Sequence, residues 1–356
     1  MATICFSMSG EGRGHATRVR ALADLLRPRH RIRLYAPGDA YELLAPAYEG
    51  TDVPVHRIPC MMFHYTPSGK LDIPRTGWQG AKYICRLPGL VRKLERHLRR
   101  AAPDLAVVDF EPALPRAARR CGVPYVSVDH QHFLVANDLS ELPGWLRRRA
   151  ALISVVVRLY HRGMAKTVVS SFYSPPLKPS ARDTVQTGVI LRPAVLSAPR
   201  DHNGHLTVYL RKFSGHRVLP ALKELGMRCF VYGLGGQPAD GNLVYKQVSE
   251  EAFLQDLGTC EALVCTAGNQ LVGEAHYLGK PVFAIPEPAN HEQYINAWFL
   301  AREGTGEWAE MDEVSGRRLG GFLERLDDYR GRIDPDRYNG NSLALSAIEE
   351  LLPPGR

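Results

Sequence analysis

No Cys-x-x-Cys pair occurs in this chain, and its seven cysteines are an odd number scattered from Cys5 to Cys265. Several sit in apolar, strand-like runs, which speaks for buried free thiols in a reducing compartment and against a disulfide framework or a zinc site. Long hydrophobic runs are missing too. The longest nearly apolar stretch is about ALISVVV (151–157), broken only by Ser154 and far short of a membrane span. The chain opens on a strand-like segment and not on a basic-then-apolar leader, so the expected location is the cytoplasm. Lysine is scarce, at 9 of the 45 basic residues. The net charge of +8 admits an anionic partner, but so arginine-biased a composition is discounted as a nucleic-acid signal. No short-period repeat and no low-complexity tract is present.

What is present is alternation. ATICFSMS reads as a strand, HATRVRALADLLRP as an amphipathic helix closed by Pro28, and RIRLYAP as the next strand. LVRKLERHLRRAAPD, LAVVDFEP, ALPRAARRCG and VPYVSVDHQ continue the pattern, and it resumes after residue 204 from LTVYL through KPVFAIP to QYINAWFLAREG. Alternating strands and helices predict parallel sheets covered on both faces. The expected fold is α/β, with two Rossmann-like doubly wound domains facing a cleft. Residues 1–190 form the first, 191–204 a linker rich in proline and glycine, and 205–335 the second. Residues 336–356 form a C-terminal helix expected to pack back on the first domain. Ligands then gather at the carboxyl ends of the strands.

The first such end is SGEGRGHATR (9–18). It is not a Walker A loop, because no Gly-Lys-Ser/Thr follows. It is not a dinucleotide fingerprint either, because His15 stands where the last glycine belongs. Gly12 and Gly14 let the backbone approach a ligand closely, and His15 falls on the first turn of a helix. The positive helix end disfavours an imidazolium, so His15 is a candidate general base; a capping or packing histidine is the alternative. Asp109 and Glu111 in VVDFEP, and Asp129 and His130 in SVDHQH, lie at neighbouring strand ends. Asp109 is the candidate to orient the imidazole. At least one of these acids is expected only to cap a helix.

The second constellation is CEALVCTAGNQLVGEAHYLGKPVFAIPEPANHEQYINAWFLAREG (260–304). Gly268, Asn269 and Gln270 put free backbone amides at a helix start, a ready anion site. Glu274 falls beside the helix's apolar stripe, where a carboxylate needs a partner; a ribose diol is one and a neighbouring cation another. The loop with Asn290, His291, Glu292 and Gln293 offers donors and acceptors to several hydroxyls. In this order the three features describe a nucleoside diphosphate sugar.

With GEGRGHATR, VVDFEP, SVDHQH, TAGNQLVGEAHYLGKPVFAIP and HEQYINA in place, the sequence resembles the GT-B glycosyltransferases, in particular the family 28-like group of the bacterial lipid II-forming N-acetylglucosaminyltransferases. The resemblance implies an acceptor-binding first domain, a donor-binding second domain, and metal-independent, inverting transfer with no cofactor beyond the nucleotide sugar. It matches His15 to the glycine-loop histidine, Glu274 to the ribose-binding glutamate and Glu292–Gln293 to the sugar-binding pair. One departure stands out. Where relatives carry Gly-Gly or Gly-Ser near the phosphates, this chain reads VYLRKFSG, which offers Arg211 and Lys212 to the diphosphate. A UDP sugar is the expected donor, UDP-N-acetylglucosamine being one candidate. The acceptor stays open between a lipid-linked molecule and a small natural product, as does peripheral membrane contact through the basic, apolar segments 87–100 and 144–166. A 2-epimerase of UDP-N-acetylglucosamine and a non-catalytic nucleotide-sugar binder are the rival readings.

Overall fold

The computed structural model describes residues 1–10, 13–61, 72–160, 162–211, 214–288 and 290–353, apart from the side chains of Ile73 and His216. Gly12 and Lys212 of the sequence reading therefore lie outside the described residues. The chain divides into two compact units. The first comprises Met1–Glu141, Arg147–Arg192 and Gly340–Arg356, and the second Leu142–Leu146 and Pro193–Asn339.

The first unit is built on seven strands: β1 (Thr3–Met8), β2 (Arg31–Pro37), β3 (Val55–Ile58), β4 (Leu105–Asp109), β5 (Tyr125–Asp129), β6 (Lys166–Ser170) and β7 (Thr184–Thr187). They lie in the order β3-β2-β1-β4-β5-β6-β7, with every pairing parallel. Such a sheet must be covered on both faces, and the side-chain period of two sorts the core accordingly. Ile4, Phe6 and Met8 point into one apolar cluster with Leu105 and Val107, while Cys5, Ala106 and Val108 point into the other.

The second unit repeats the plan with β8 (His205–Tyr209), β9 (Arg228–Tyr232), β10 (Leu243–Tyr245), β11 (Ala262–Cys265), β12 (Val282–Ala284) and β13 (Gly306–Trp308). Their order is β10-β9-β8-β11-β12-β13, again all parallel. Two all-parallel sheets, each with its own core, make the expected pair of Rossmann-like doubly wound domains.

Three local findings refine the sequence reading. The basic helix expected from Leu90 starts much earlier and runs Ile73–Ala101, straight through Pro88. Tyr83, Leu90, Val91, Leu94 and Leu98 give it a continuous buried stripe, and that packing outweighs the hydrogen bond Pro88 cannot make. The stretch 191–204 is not a loose tether. Leu191 exchanges hydrogen bonds of 2.8 Å with the Asn341 side chain, Pro193–Leu196 is helical, and the amides of Asp201 and Asn203 donate to Gly258 and Thr259. Finally, the helix Asn341–Glu349 buries Ala344, Ala347 and Ile348 in the core shared with β1. Gly340 begins it because a Cβ there would lie 2.2 Å from the Gly188 carbonyl.

Burial of His276 makes stability depend on pH. Its ring is fully enclosed, 4.8 Å from that of Tyr338, and desolvation pushes its pKa from 6.5 down to about 3. Below pH 6.5 the unfolded chain takes up a proton that the folded chain refuses, so stability is full above 6.5 and is lost as pH falls toward 3. We expect urea unfolding to show this excess acid sensitivity in the wild type and a shallower pH slope in His276→Gln.

Candidate active site at the strand ends

In each sheet the strand order reverses next to the first strand of that sheet, between β1 and β4 and between β8 and β11. Helices leave such a point toward opposite faces, which opens a crevice beyond the strands' carboxyl ends. In the first unit Met8 and Asp109 are register partners there, and the Ser9 amide donates to the Asp109 carbonyl at 2.8 Å.

The helix Arg13–Leu26 starts beside this pair. His15 and Arg18, three residues apart and so on one face, both reach the Asp109 carboxylate. His15 Nδ1 lies 2.7 Å from Oδ1, and Arg18 Nη1 donates to Oδ2 at 2.8 Å. Side-chain exposure ranks the three: Asp109 1%, Arg18 4%, His15 15%. The imidazole is thus the accessible end of a buried charged triad. With an ionised carboxylate accepting at Nδ1, the proton sits on that nitrogen and Nε2 becomes the basic one. Arg18 was not singled out from the sequence, although its spacing from His15 was visible in GHATR.

The other acceptor-side residues are placed differently. Glu111 is buried and gives its oxygens to the amides of Ala113 (2.6 Å) and Leu114 (2.8 Å). It caps the helix Ala113–Arg120 and leaves the acceptor-facing set; burial raises its pKa against the lowering effect of those amides. His130 is 1% exposed, stacked on Phe133 at 4.7 Å and edge-on to Tyr173, which makes it a core aromatic and not a contact for an acceptor. Gly14 lies in the first turn of its helix. A Cβ at Gly10 would meet Cys60 Sγ at 2.7 Å and Pro37 at 3.1 Å, so the site is tight. Phe110, just past Asp109, adopts a left-handed φ of 52°, a cost that a non-glycine residue bears only when its surroundings enforce it.

In the second unit β11 ends at Cys265, Ala267 is left-handed at φ 58°, and Gly268 precedes the helix Asn269–Tyr277. The Asn296 amide, wholly buried, donates to the Ala267 carbonyl at 2.8 Å and holds this turn. Gly268 has an ordinary φ of −69° and nothing within 4 Å of where its Cβ would be. Neither backbone nor packing demands glycine there. Glu274 is 3% exposed and accepts from Gln270 Nε2 at 3.0 Å, one turn back on the same helix.

Arg211 is half exposed and its guanidinium is already engaged, donating to Glu287 Oε2 at 2.9 Å. Arg211, offered to the diphosphate in the sequence reading, is thus ion-paired with Glu287 in the folded chain. Gln293 is buried, and its Oε1 accepts from the Glu287 amide at 2.7 Å. Glu292 is half-buried on the first turn of the helix His291–Glu303, which Asn290 caps through the Gln293 amide. Glu287 and Asn296 organise this corner and escaped the sequence reading, since their partners lie 76 and 29 residues away. Among the described residues, no group of three or more His, Cys, Asp or Glu side chains is placed to hold a metal ion.

Comparison with known proteins bears on the family and the fold. Residues 2–327 match the model of the family described as Glycosyl transferase family 1. A UDP-N-acetylglucosamine--N-acetylmuramyl-(pentapeptide) pyrophosphoryl-undecaprenol N-acetylglucosamine transferase from Rhizobium meliloti is 25% identical over 321 residues, 80% of each chain. The enzyme of the same name from Rickettsia rickettsii is 30% identical over 101 residues, 26% of this chain and 27% of its own, so the chain spans about a quarter of that relative's length. The crystal structure of Acinetobacter baumannii MurG shares the fold at a TM-score of 0.63 and 16% identity, covering 98% of this chain and 100% of that one.

The Arg18–Asp109 contact is a buried ion pair, and removing one partner strands the other's charge. We expect Arg18→Met to lower the unfolding free energy by about 3 to 5 kcal/mol, measured by urea titration at neutral pH. A change within roughly 0.5 kcal/mol would mean that the pair is solvated.

Proposed function

The chain belongs to glycosyl transferase family 1 and is a nucleotide-sugar glycosyltransferase, and from that premise we propose an inverting, metal-independent displacement at the anomeric carbon of a UDP sugar, with UDP-N-acetylglucosamine the first donor to test. The observation that carries it is the His15–Asp109 pair at the strand ends. His15 Nε2 takes the proton of an acceptor hydroxyl while that oxygen bonds to the anomeric carbon. The bond from that carbon to the phosphate oxygen breaks, and the nucleoside diphosphate departs with the electron pair. Asp109 orients the imidazole and offsets the cation it becomes. Arg18 holds the other carboxylate oxygen and keeps Asp109 aimed.

The donor belongs to the second unit in this reading. The amides at Gly268–Gln270 receive the diphosphate, whose charge grows as it leaves. The open space at Gly268 suits a phosphate that comes within contact of the backbone. Glu274, braced by Gln270, takes the ribose hydroxyls, and Glu292 with Gln293 takes the sugar. The relatives' name supports both UDP-N-acetylglucosamine and a lipid-linked acceptor. Peripheral membrane contact is supported by the helix Gly144–Tyr160, which exposes Leu152, Val155, Val156 and Leu159 beside Arg147, Arg148 and Arg149. No helix among the described residues is long and apolar enough to cross a membrane.

His15→Ala is expected to lower turnover by about 10²- to 10⁴-fold and to keep donor binding, as read by kinetics and a UDP-sugar thermal shift. Full turnover in that variant sinks the base assignment. Gly268→Ala fits the folded chain and is expected to cost under about 1 kcal/mol of stability, yet to weaken the nucleotide-induced shift. Glu274→Ala is expected to remove most of that shift, which for a ligand at about a hundred times its Kd amounts to roughly 2.7 kcal/mol in the wild type. If both variants respond to UDP sugars as the wild type does, the donor lies elsewhere.

A further inference from the structure

A second histidine–carboxylate pair lies away from His15. Asp129, the last residue of β5, is fully buried, and its carboxylate accepts from Ser127 Oγ at 2.6 Å, from the His132 amide at 2.8 Å and from His132 Nδ1 at 2.7 Å. The His132 side chain is 3% exposed. Its ring forms part of the wall of a cavity of about 310 Å³, whose other lining residues are Val135, Arg158, Arg162 and Met164. That volume is at the small end of ligand pockets.

The charged side chains that line this cavity, among the described residues, are Arg158 and Arg162. Among the described residues no carboxylate forms an ion pair with Arg158 or Arg162. A third cation, Lys178, donates to the carbonyl of Val135 at 3.1 Å, and Asp138 is the one acid acting on it. Burial and then the charge of Arg158 hold the Lys178 pKa below its usual value. Asp129, the one buried acid behind the wall, is occupied by the three donors named above. Two guanidinium forks at one cavity are a donor set for a tetrahedral oxyanion, which a planar fork binds in bidentate fashion, and the His132 ring in the wall, held by Asp129, lies where it senses what binds.

We propose that the cavity at His132, Arg158 and Arg162 is an oxyanion site that takes a phosphate or diphosphate group, separate from the donor site of the second unit. Arg158 and Arg162 supply the charge, and Asp129 fixes the orientation of His132. The site does not depend on the donor assignment. The same chemistry comes from a soluble phosphate or from a lipid head group, and the exposed Val155, Val156 and Leu159 on the helix that carries Arg158 would meet the apolar part of a lipid.

The test uses the full chain labelled with ¹⁵N at histidine, with the His132 signals identified by their loss in His132→Gln. Inorganic phosphate is titrated first, then phosphatidylglycerol vesicles against phosphatidylcholine vesicles. A saturable shift of the His132 signals with phosphate is expected, with affinity at least about tenfold weaker in the Arg158→Gln/Arg162→Gln variant. Both arginines are exposed, so that variant folds. If the source is a head group, only phosphatidylglycerol vesicles move His132, and the double variant loses the response. His132 signals that neither probe moves, or that move equally in the double variant, overturn the site. A response at His132 with no UDP-sugar binding leaves this site standing and removes the donor reading.

Discussion

A carboxylate with 1% of its surface exposed dictates much of the first unit. A buried carboxylate at the end of β4 needs partners, and both of Asp109's come from one turn of one helix. That requirement fixes where the helix Arg13–Leu26 begins, how its first turn faces the sheet, and why an arginine follows the histidine by three residues. It also sets the chemistry. A lone imidazole at a helix start would be a solvated side chain, whereas one tied to a buried acid has its tautomer and direction chosen for it. Arg18 and His15 each take one oxygen of that carboxylate.

The two units apply one geometric device to different ends. In each, the strand across the reversal from the unit's first strand is followed by a left-handed residue that is not glycine, Phe110 after β4 and Ala267 after β11. Each turn directs the chain away from the sheet directly above the reversal. Phe110 is braced by stacking on Tyr160 at 5.1 Å, and Ala267 by the buried Asn296 amide. Strain at both positions is thus carried by neighbours distant in sequence, as is usual where backbone must present groups to a ligand.

The sequence made the architecture plain, because parallel sheets need apolar strands at regular intervals and the glycines and prolines mark where each ends. The association of His15 with Asp109 followed from the same logic, as strand ends converge whatever the side chains are. What the sequence hid depended on contacts, not on pattern. Glu111 and Asp109 look alike in VVDFEP, and only the position of two helix amides makes one a cap. His130 and His132 are neighbours, yet one stacks in an aromatic core while the other is held by Asp129. Arg211 carries the same charge on paper whether or not Glu287 lies beside it. The start of the helix Ile73–Ala101 was masked by Gly77, Gly80, Pro88 and Gly89, residues that a buried stripe tolerates but a pattern search penalises.

The helix at Asn341–Glu349 belongs to the core of β1 although nearly the whole chain separates them. During synthesis the second unit's main stretch, Pro193–Asn339, emerges before the segment that completes the first. The unit made earliest is therefore finished last, and its face formed by Ile4, Phe6 and Val19 waits for Ala344 and Ile348 while the other unit is already able to close. The same linkage means that a chain cut just after residue 339 retains a second unit with all its strands but exposes the apolar face of the unit that carries His15.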